Sequence, residues 1–351
     1  MEPLNIAVFG AGLIGRKHIN TILARPDLAR LAAVVDPILP AGLSSDWQTP
    51  VFADAGEMFA ALAPDAVIIA TPNNLHLEQG LLCCAHGVHF LVEKPVAPSW
   101  QEAVRLVEAV RQSEVHTLVG HHRRYLAQVQ EAKRVIGNGE LGDLVAASVV
   151  WATRKPDAYF DVAWRRSAGG GPLLINAIHE VDLLRYLCGE IVAVRGMKSS
   201  RQRNFAVEDT AAALLEFANG CLATLVCSDA GLSPWTIEQG TGENPAFAFT
   251  HESAYRIVGS RGSLEVPVLR KWQARIPGQE AWDRPLTGEF LPHPLRDPFE
   301  AQLAHFQRVV RTGETPICPV SDGAQTLAAT LAIAEDGATG ARRLPTLPAG
   351  P

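Results

Sequence analysis

Residues Asn5 to Phe9 form a short apolar run that passes directly into Gly10-Ala11-Gly12-Leu13-Ile14-Gly15, and then into a helical pattern reaching about Arg25. No other stretch restricts the fold as tightly. A G-x-G-x-x-G set between strand and helix opens a βαβ unit of the dinucleotide-binding kind. Gly10 permits the turn, Gly12 lets a pyrophosphate approach the backbone, and Gly15 lets helix and strand pack closely. The helix start, at Leu13 and Ile14, offers free N–H groups and a positive dipole end to phosphates. Leu31 to Val35 reads as the next strand and ends at Asp36, 21 residues past Gly15. A carboxylate there accepts hydrogen bonds from ribose hydroxyls and repels a 2′-phosphate. Pro37 follows it, with no arginine or lysine to welcome that phosphate. The expected cofactor is therefore NAD rather than NADP.

The same rhythm continues. Ala66 to Ala70 is a fully apolar strand ending in Thr71-Pro72-Asn73-Asn74-Leu75-His76, followed by a helix over Leu77 to Gly87. Val88 to Val92 is another buried strand, and it delivers Glu93-Lys94-Pro95 to its carboxyl end. Ser99 caps a helix to Ser113, with Glu102 completing a capping box, and Val115 to Val119 is one more strand. Strands alternating with helices imply a doubly wound parallel sheet, in which ligands sit at the strands' carboxyl edge. Residues 1–121 are assigned to this nucleotide-binding domain. Thr71, Asn73, His76, Glu93 and Lys94 join Gly10, Gly12, Leu13, Ile14 and Asp36 as residues expected to face the cofactor. Lys94 can also hold a substrate hydroxyl and stabilise its oxygen as the proton leaves.

Residues 122–351 are assigned to a second, substrate-binding and oligomerising domain. It opens with a helix whose entrance carries Arg123, Arg124 and Tyr125, followed by a strand over Leu144 to Thr153. A loop then holds Trp164-Arg165-Arg166 and three glycines. Pro172 starts a helix with Leu174, Ile178, Val181, Leu184 and Leu187 as its buried stripe. Asn176 and His179 are three apart on it. Beyond Ile191 the pattern changes to strands joined by turns. Asn219-Gly220 marks one hairpin, and Ser260-Arg261-Gly262 another. An α+β domain with a large, mostly antiparallel open sheet follows. The segment Ser233 to Phe249, with Trp235, reads as an irregular loop covering the substrate or reaching a neighbouring subunit. Helices over Phe299 to Arg311 and Asp322 to about Gly337, and a loose tail, complete the chain.

The motifs GAGLIG with Asp36, ATPNNLH, VEKP and GGGPLLINAIHEVDLL together resemble the glucose-fructose oxidoreductase, inositol dehydrogenase and MocA (Gfo/Idh/MocA) family of nicotinamide-dependent oxidoreductases. The resemblance spans essentially the whole chain. It implies that Lys94 binds the substrate oxygen and the nicotinamide ribose, and that His179 is the general base or lies beside it. One departure is plain. Inositol-dehydrogenase-like members place an aspartate four residues before the histidine, where this chain has Ile175. Asn176 next to it supplies a hydrogen bond but no charge.

The expectation is an NAD-dependent dehydrogenase acting on a secondary alcohol of a sugar, cyclic polyol or related diol. Lys94 and His179 are its catalytic pair. Arg123, Trp164, Arg165, Asn176 and Trp235 join them around the substrate. The arginines leave open a carboxylated substrate, either a sugar acid or an aromatic cis-dihydrodiol carboxylate. Ile175 leaves open a sensor that binds NAD or sugar without turnover.

A net charge of -6, from 31 basic and 37 acidic residues, gives no field for nucleic acid or an anionic membrane. No apolar run reaches the length of a membrane span, and the start of the chain lacks the basic region of a signal peptide, so a cytoplasmic location is expected. Six cysteines without CxxC spacing read as reduced thiols. The pairs His86/His89 and His121/His122 find no carboxylate or thiol at ligand spacing, so no metal is expected. A dimer or tetramer is expected to cover the open face of the second sheet.

Overall fold

The computed structural model describes residues 1–38, 47–335 and 342–348. By packing, the chain divides into two units. Met1–Tyr125, Arg296–Leu327 and Thr346–Pro351 make up the first, and Leu126–Leu295 with Ala328–Pro345 the second.

The first unit is built on six parallel strands: β1 (Leu4–Phe9), β2 (Ala29–Val35), β3 (Val51–Phe52), β4 (Ala66–Ile69), β5 (His89–Val92) and β6 (Thr117–Val119). Their order is β3-β2-β1-β4-β5-β6. Chain order therefore reverses between β1 and β4, the switch point at which such sheets bind ligands. β3 was not foreseen, because a two-residue edge strand after Pro50 carries no periodicity. Strand residues such as Ile6, Val8, Ile68 and Leu91 are fully buried, as a sheet covered on both faces requires.

Around the sheet lie α1 (Leu13–Ala24), α2 (Ala55–Ala61), α3 (His76–Ala85) and α4 (Trp100–Arg111). Ser99 caps α4 by accepting from the Glu102 N–H at 3.3 Å. The Glu102 carboxylate accepts the Ser99 hydroxyl proton at 2.8 Å, where the expected capping box would have it reach the Ser99 backbone. Gly87, at φ +63°, closes α3 in the left-handed region that favours glycine. A late helix, α8 (Pro298–Thr312), packs Leu303 and Phe306 into this unit's core, although its sequence position is deep in the presumed second domain. An amphipathic helix shows which face it buries but not against what.

The second unit contains a nine-stranded sheet in the order β14-β13-β12-β11-β7-β10-β9-β8-β15. At its centre, β7 (Leu144–Ala152) and β10 (Leu222–Ser228) run parallel, and every other pairing is antiparallel. β9 (Thr210–Phe217) joins β10 through the expected Asn219-Gly220 turn, with Gly220 at φ +86°. β11 (Tyr255–Gly259) and β12 (Gly262–Val266) form the second expected hairpin. The remaining strands are β8 (Ile191–Ser199), β13 (Arg270–Ala274), β14 (Leu286–Phe290) and β15 (Arg342–Arg343).

α5 (Ala127–Gly137) and α6 (Ile178–Cys188) contribute Val129, Val181 and Leu184 to the core on one face of this sheet. A π-helical turn over Leu173–Ala177 precedes α6. It takes Leu174 out of the buried stripe, which keeps Ile178, Val181, Leu184 and Leu187. The loop over 233–249 is partly ordered helix. Thr236 caps α7 (Ile237–Thr241), and Glu238 turns inward to accept from Trp151 Nε1 at 3.0 Å. α9 (Val320–Ala334) is the last helix, and its expected extension to Gly337 and the final residues of the tail lie outside the described residues.

Candidate functional site

In the first unit the glycine turn has the geometry its sequence demands. Gly10 sits at φ +85°, and a Cβ there would come within 2.7 Å of the Ala70 carbonyl. A Cβ on Gly15 would lie 1.9 Å from the Gly10 carbonyl, so any side chain would force helix and strand apart. Gly12 is different: a Cβ on it would meet nothing within 4 Å. Its glycine is not required by the protein's own packing, and the open space suits a group that approaches the backbone. α1 starts there without a side-chain cap. The N–H groups of Leu13 and Ile14 have no acceptor among the described residues. Free donors, a helix dipole and an unfilled approach fit a pyrophosphate.

Asp36 closes the other side. Its carboxylate accepts from the Ala11 N–H at 2.7 Å and the Ile38 N–H at 2.9 Å. The residue expected to meet a ribose thus also fixes the glycine turn, leaving further lone pairs for hydroxyls.

Lys94 leaves the end of β5 through a cis peptide bond to Pro95. Glu93 before it is buried and accepts from His18 Nε2 at 2.8 Å and from the Lys94 N–H at 3.2 Å. Burial opposes ionisation of Glu93, but the His18 hydrogen bond and the nearby Lys94 ammonium outweigh it and hold the carboxyl below its usual range. Gly120 allows this: a Cβ there would sit 2.5 Å from the Glu93 carboxyl. Glu93, expected at the cofactor, is buried and braces the backbone at Lys94.

His76 is a second brace. Its Nδ1 lies 2.8 Å from the Pro95 carbonyl and its Nε2 3.0 Å from the Thr71 carbonyl. Burial lowers its pKa against the pull of those two carbonyls. With both ring nitrogens engaged, His76 ties the Thr71–Asn73 loop to the Lys94–Pro95 loop instead of offering a nitrogen to a ligand. Thr71 donates to Gln79 at 2.6 Å, and Asn73 is exposed at the start of a 3₁₀ turn.

Arg123, expected near the substrate, and Arg124 are not solvated. Both are buried in the 3₁₀ turn His122–Tyr125, and Arg124 donates to the Ile317 carbonyl and pairs with Asp322. His122 stacks on Phe299 at 4.5 Å. Burial, aided by the Arg123 charge, pushes its pKa down to about 3.

The second unit's polar cluster lies where the parallel strands β7 and β10 both end. Lys155 follows β7 and Asp229 follows β10, and the Lys155 N–H donates to the Asp229 carbonyl at 2.9 Å. Arg203 Nε donates to Asp229 Oδ1 at 2.9 Å. Lys155 Nζ stands 3.7 Å from Asp229 Oδ2 and donates to Asn176 Oδ1 at 2.8 Å. Burial depresses the Lys155 pKa and raises that of Asp229, although each is opposed by its partner's charge.

Asn176 is half-buried in the π-helical turn, and His179 is buried in the first turn of α6. The start of that turn is held by Glu208, which accepts from the Leu173 N–H at 3.2 Å and leaves room for nothing larger than Gly171. Arg165 donates to the Tyr159 carbonyl at 2.7 Å and stacks over the Tyr159 ring at 4.0 Å, so it organises its own loop. Trp164 and Trp235 keep large exposed faces. Lys155 belongs to no motif in the sequence. Asp229, Arg203 and Glu208 gave no signal, because nothing in a strand end shows which loop it will face.

A glycine turn at the switch point, held by Asp36, is the framework of a dinucleotide-binding Rossmann sheet. Residues 4–121 match the family described as an oxidoreductase family with an NAD-binding Rossmann fold, and residues 129–265 match the GFO/IDH/MocA C-terminal domain. The chain belongs to the Gfo/Idh/MocA family. It is 28% identical over 346 residues to inositol 2-dehydrogenase 2 of Saccharopolyspora erythraea, covering 96% of this chain and 94% of that one. A 31% match over 192 residues to the rhizopine catabolism protein MocA of Rhizobium meliloti covers 54% of this chain and 59% of that protein, less than two thirds of its length. Among solved structures, levoglucosan dehydrogenase in complex with NADH and L-sorbose has the same fold, with a TM-score of 0.81 at 21% identity over 98% of this chain and 99% of that one. No described helix is long and apolar enough to cross a membrane.

Proposed function

We propose that this protein is an NAD-dependent dehydrogenase that oxidises a secondary alcohol of a sugar, cyclic polyol or related diol to a ketone. The observation that carries it is Lys94, delivered to the carboxyl edge of β5 by the buried Glu93–His18 strut. The relatives, inositol 2-dehydrogenase 2 and D-glucoside 3-dehydrogenase among them, support oxidation at CH–OH. NAD, when bound, supplies the hydride acceptor. In this reading the Lys94 ammonium stabilises the alkoxide as it forms, and His179 takes the hydroxyl proton. Asp36 bonds the ribose hydroxyls, the Leu13 and Ile14 N–H groups bind phosphate, and Trp164 and Trp235 offer apolar faces to a ring.

The test is formation of NADH from NAD or of NADPH from NADP with a panel of myo-inositol, D-glucose, D-galactose, levoglucosan, D-glucuronate and D-galacturonate, on the parent and Lys94→Ala. NADH should form, NAD should be preferred, and Lys94→Ala should lose about 10³-fold in turnover while binding NADH within a few-fold of the parent. Tight ligand binding without NADH formation would mark a sensor. Bond cleavage without net NADH would mark a hydrolase.

A second copy of the chain is proposed to cover the outer face of the nine-stranded sheet. Met197, Leu214, Leu222, Val226 and Val258 are exposed on alternate positions of β8 to β11, and unshielded apolar faces of this kind are usual interfaces. Light scattering should give a multiple of the 37.8 kDa chain mass, and Leu222→Lys should lower it. A monomeric parent would end this proposal.

A further inference from the structure

Asn176 is the one polar side chain of the turn before His179 that reaches the surface, and its orientation is fixed from behind. A lysine amine offers N–H groups, so Lys155 must face the amide oxygen of Asn176, as it does at 2.8 Å. The amide N–H₂ is thereby turned away from Lys155, and among the described residues it has no hydrogen-bond partner. Lys155 has little freedom to release it. Its stem is buried, its nitrogen stands over the Tyr159 ring at 4.7 Å and the Trp151 ring at 5.9 Å, and Asp229 holds its other side. Asp229 is in turn fixed by Arg203 through both its carboxylate and its carbonyl. The chain Arg203–Asp229–Lys155–Asn176 thus ends in two outward N–H donors backed by a cation. At the preceding position Ile175 supplies no carboxylate to accept from a hydroxyl.

Building on the dehydrogenase reading above, we propose that Lys155 and Asn176 are specificity residues which make this protein select a substrate carrying a carboxylate near the reacting carbinol. A donor pair with positive charge behind it bonds an anionic oxygen strongly and leaves a neutral hydroxyl little advantage over water. Asn176 touches the carboxylate. Lys155 is a positioning residue that acts through the amide.

The test compares D-glucuronate with D-glucose, and D-galacturonate with D-galactose, by titration of the NADH-loaded protein followed by tryptophan fluorescence, and by kcat and KM wherever turnover occurs. The parent should bind each uronate at least tenfold more tightly than its neutral hexose. Asn176→Asp keeps the Lys155 contact but presents an acceptor, and should cut that ratio at least 30-fold through KM for the uronate. Asn176→Leu should abolish the ratio. Lys155→Met should lower it about tenfold and Lys155→Arg should restore part of it, a rescue that a purely structural lysine would not show. A parent that binds the uronates no better than the hexoses, or Asn176 variants that leave the ratio in place, would overturn the proposal. Uronate-selective binding with no NADH formation would leave the specificity residues standing and remove the dehydrogenase reading.

Discussion

Each unit buries a carboxylate beside a lysine, and the two solve the problem in opposite ways. In the first, Glu93 accepts from His18 and from the backbone of Lys94, and its pKa falls despite burial. In the second, burial prevails over pairing: the Asp229 pKa rises although Arg203 and Lys155 flank it, and the Lys155 pKa falls. Glu93 has a hydrogen bond below 3 Å from His18 and Asp229 one from Arg203, yet only at Glu93 do the partners outweigh desolvation, and Lys155 comes no closer to Asp229 than 3.7 Å. The first network stabilises the protein and braces the backbone at Lys94. The second costs stability and orients an amide. Charges kept at a cost are the more telling sign of function.

The largest expected effect comes from breaking the costly network at one point. Asp229→Leu removes the acceptor of Arg203 Nε and the neighbour of Lys155, leaving both buried donors unsatisfied, and should destabilise by about 3 kcal/mol. Adding Lys155→Met to that variant should cost at least about 1 kcal/mol less than Lys155→Met alone, since the ammonium has already lost its partner. Urea midpoints for the four proteins measure this. Additive losses would mean that the two residues act independently and that the contrast with Glu93 is misplaced.

The second effect is smaller and has a definite sign with pH. A carboxylate whose folded pKa is depressed contributes stability above its unfolded value, about 4.3 for glutamate, and loses it as pH falls through the folded pKa. Glu93→Gln should therefore cost about 2 kcal/mol at neutral pH, with the deficit shrinking below about pH 4.3. Asp229 runs the other way: with its folded pKa raised, its ionisation opposes folding, and stability rises as pH falls from that pKa toward the unfolded value of about 3.9. A Glu93→Gln deficit that persisted unchanged well below pH 4 would show that Glu93 is protonated in the folded protein.

The contrast also explains what the sequence could reveal. Strand, glycine turn and Asp36 are local patterns whose geometry follows from backbone rules, so β1, β2, β4, β5 and β6 of the first sheet are readable from the sequence, while the two-residue β3 is not. Lys94 was readable because the strand that ends at it is. The roles of His18, His76 and Glu93 were not, since they depend on which loops meet after folding. Lys155 and Asp229 lie 74 residues apart at the ends of two strands that pair in parallel, a pairing that alternation patterns do not specify. The π-helical turn before α6 likewise carries no period of its own, and it removes Leu174 from the stripe predicted for a regular helix. α8 was read as a helix but assigned to the wrong partner, because amphipathicity names a face and not a neighbour.

Within the first unit, the glycines separate packing from binding. Gly12→Ala meets open space, so its stability should change by no more than about 1 kcal/mol, the scale of an altered helix cap. NADH affinity should fall about tenfold as the methyl occupies the approach to the phosphates, a loss of about 1.4 kcal/mol. Thermal melting and NADH titration on the same samples separate the two. Unaltered NADH binding would place the pyrophosphate elsewhere.

The smallest expected effect lies at Asp36, where structural and selective roles overlap. Asparagine preserves an acceptor for the Ala11 N–H at 2.7 Å and so should keep the glycine turn. It removes the negative charge that opposes a 2′-phosphate. On a partly exposed group this repulsion is screened by solvent and salt, which limits it to about 1 kcal/mol. The ratio of kcat/KM for NADP to that for NAD should consequently rise roughly fivefold in Asp36→Asn, with more of the change in KM than in kcat. The rise should be larger at low ionic strength, because a hydrogen-bond effect would be nearly independent of salt and a charge effect would not. A ratio that does not move, or moves equally at low and high salt, would assign Asp36 to the turn alone.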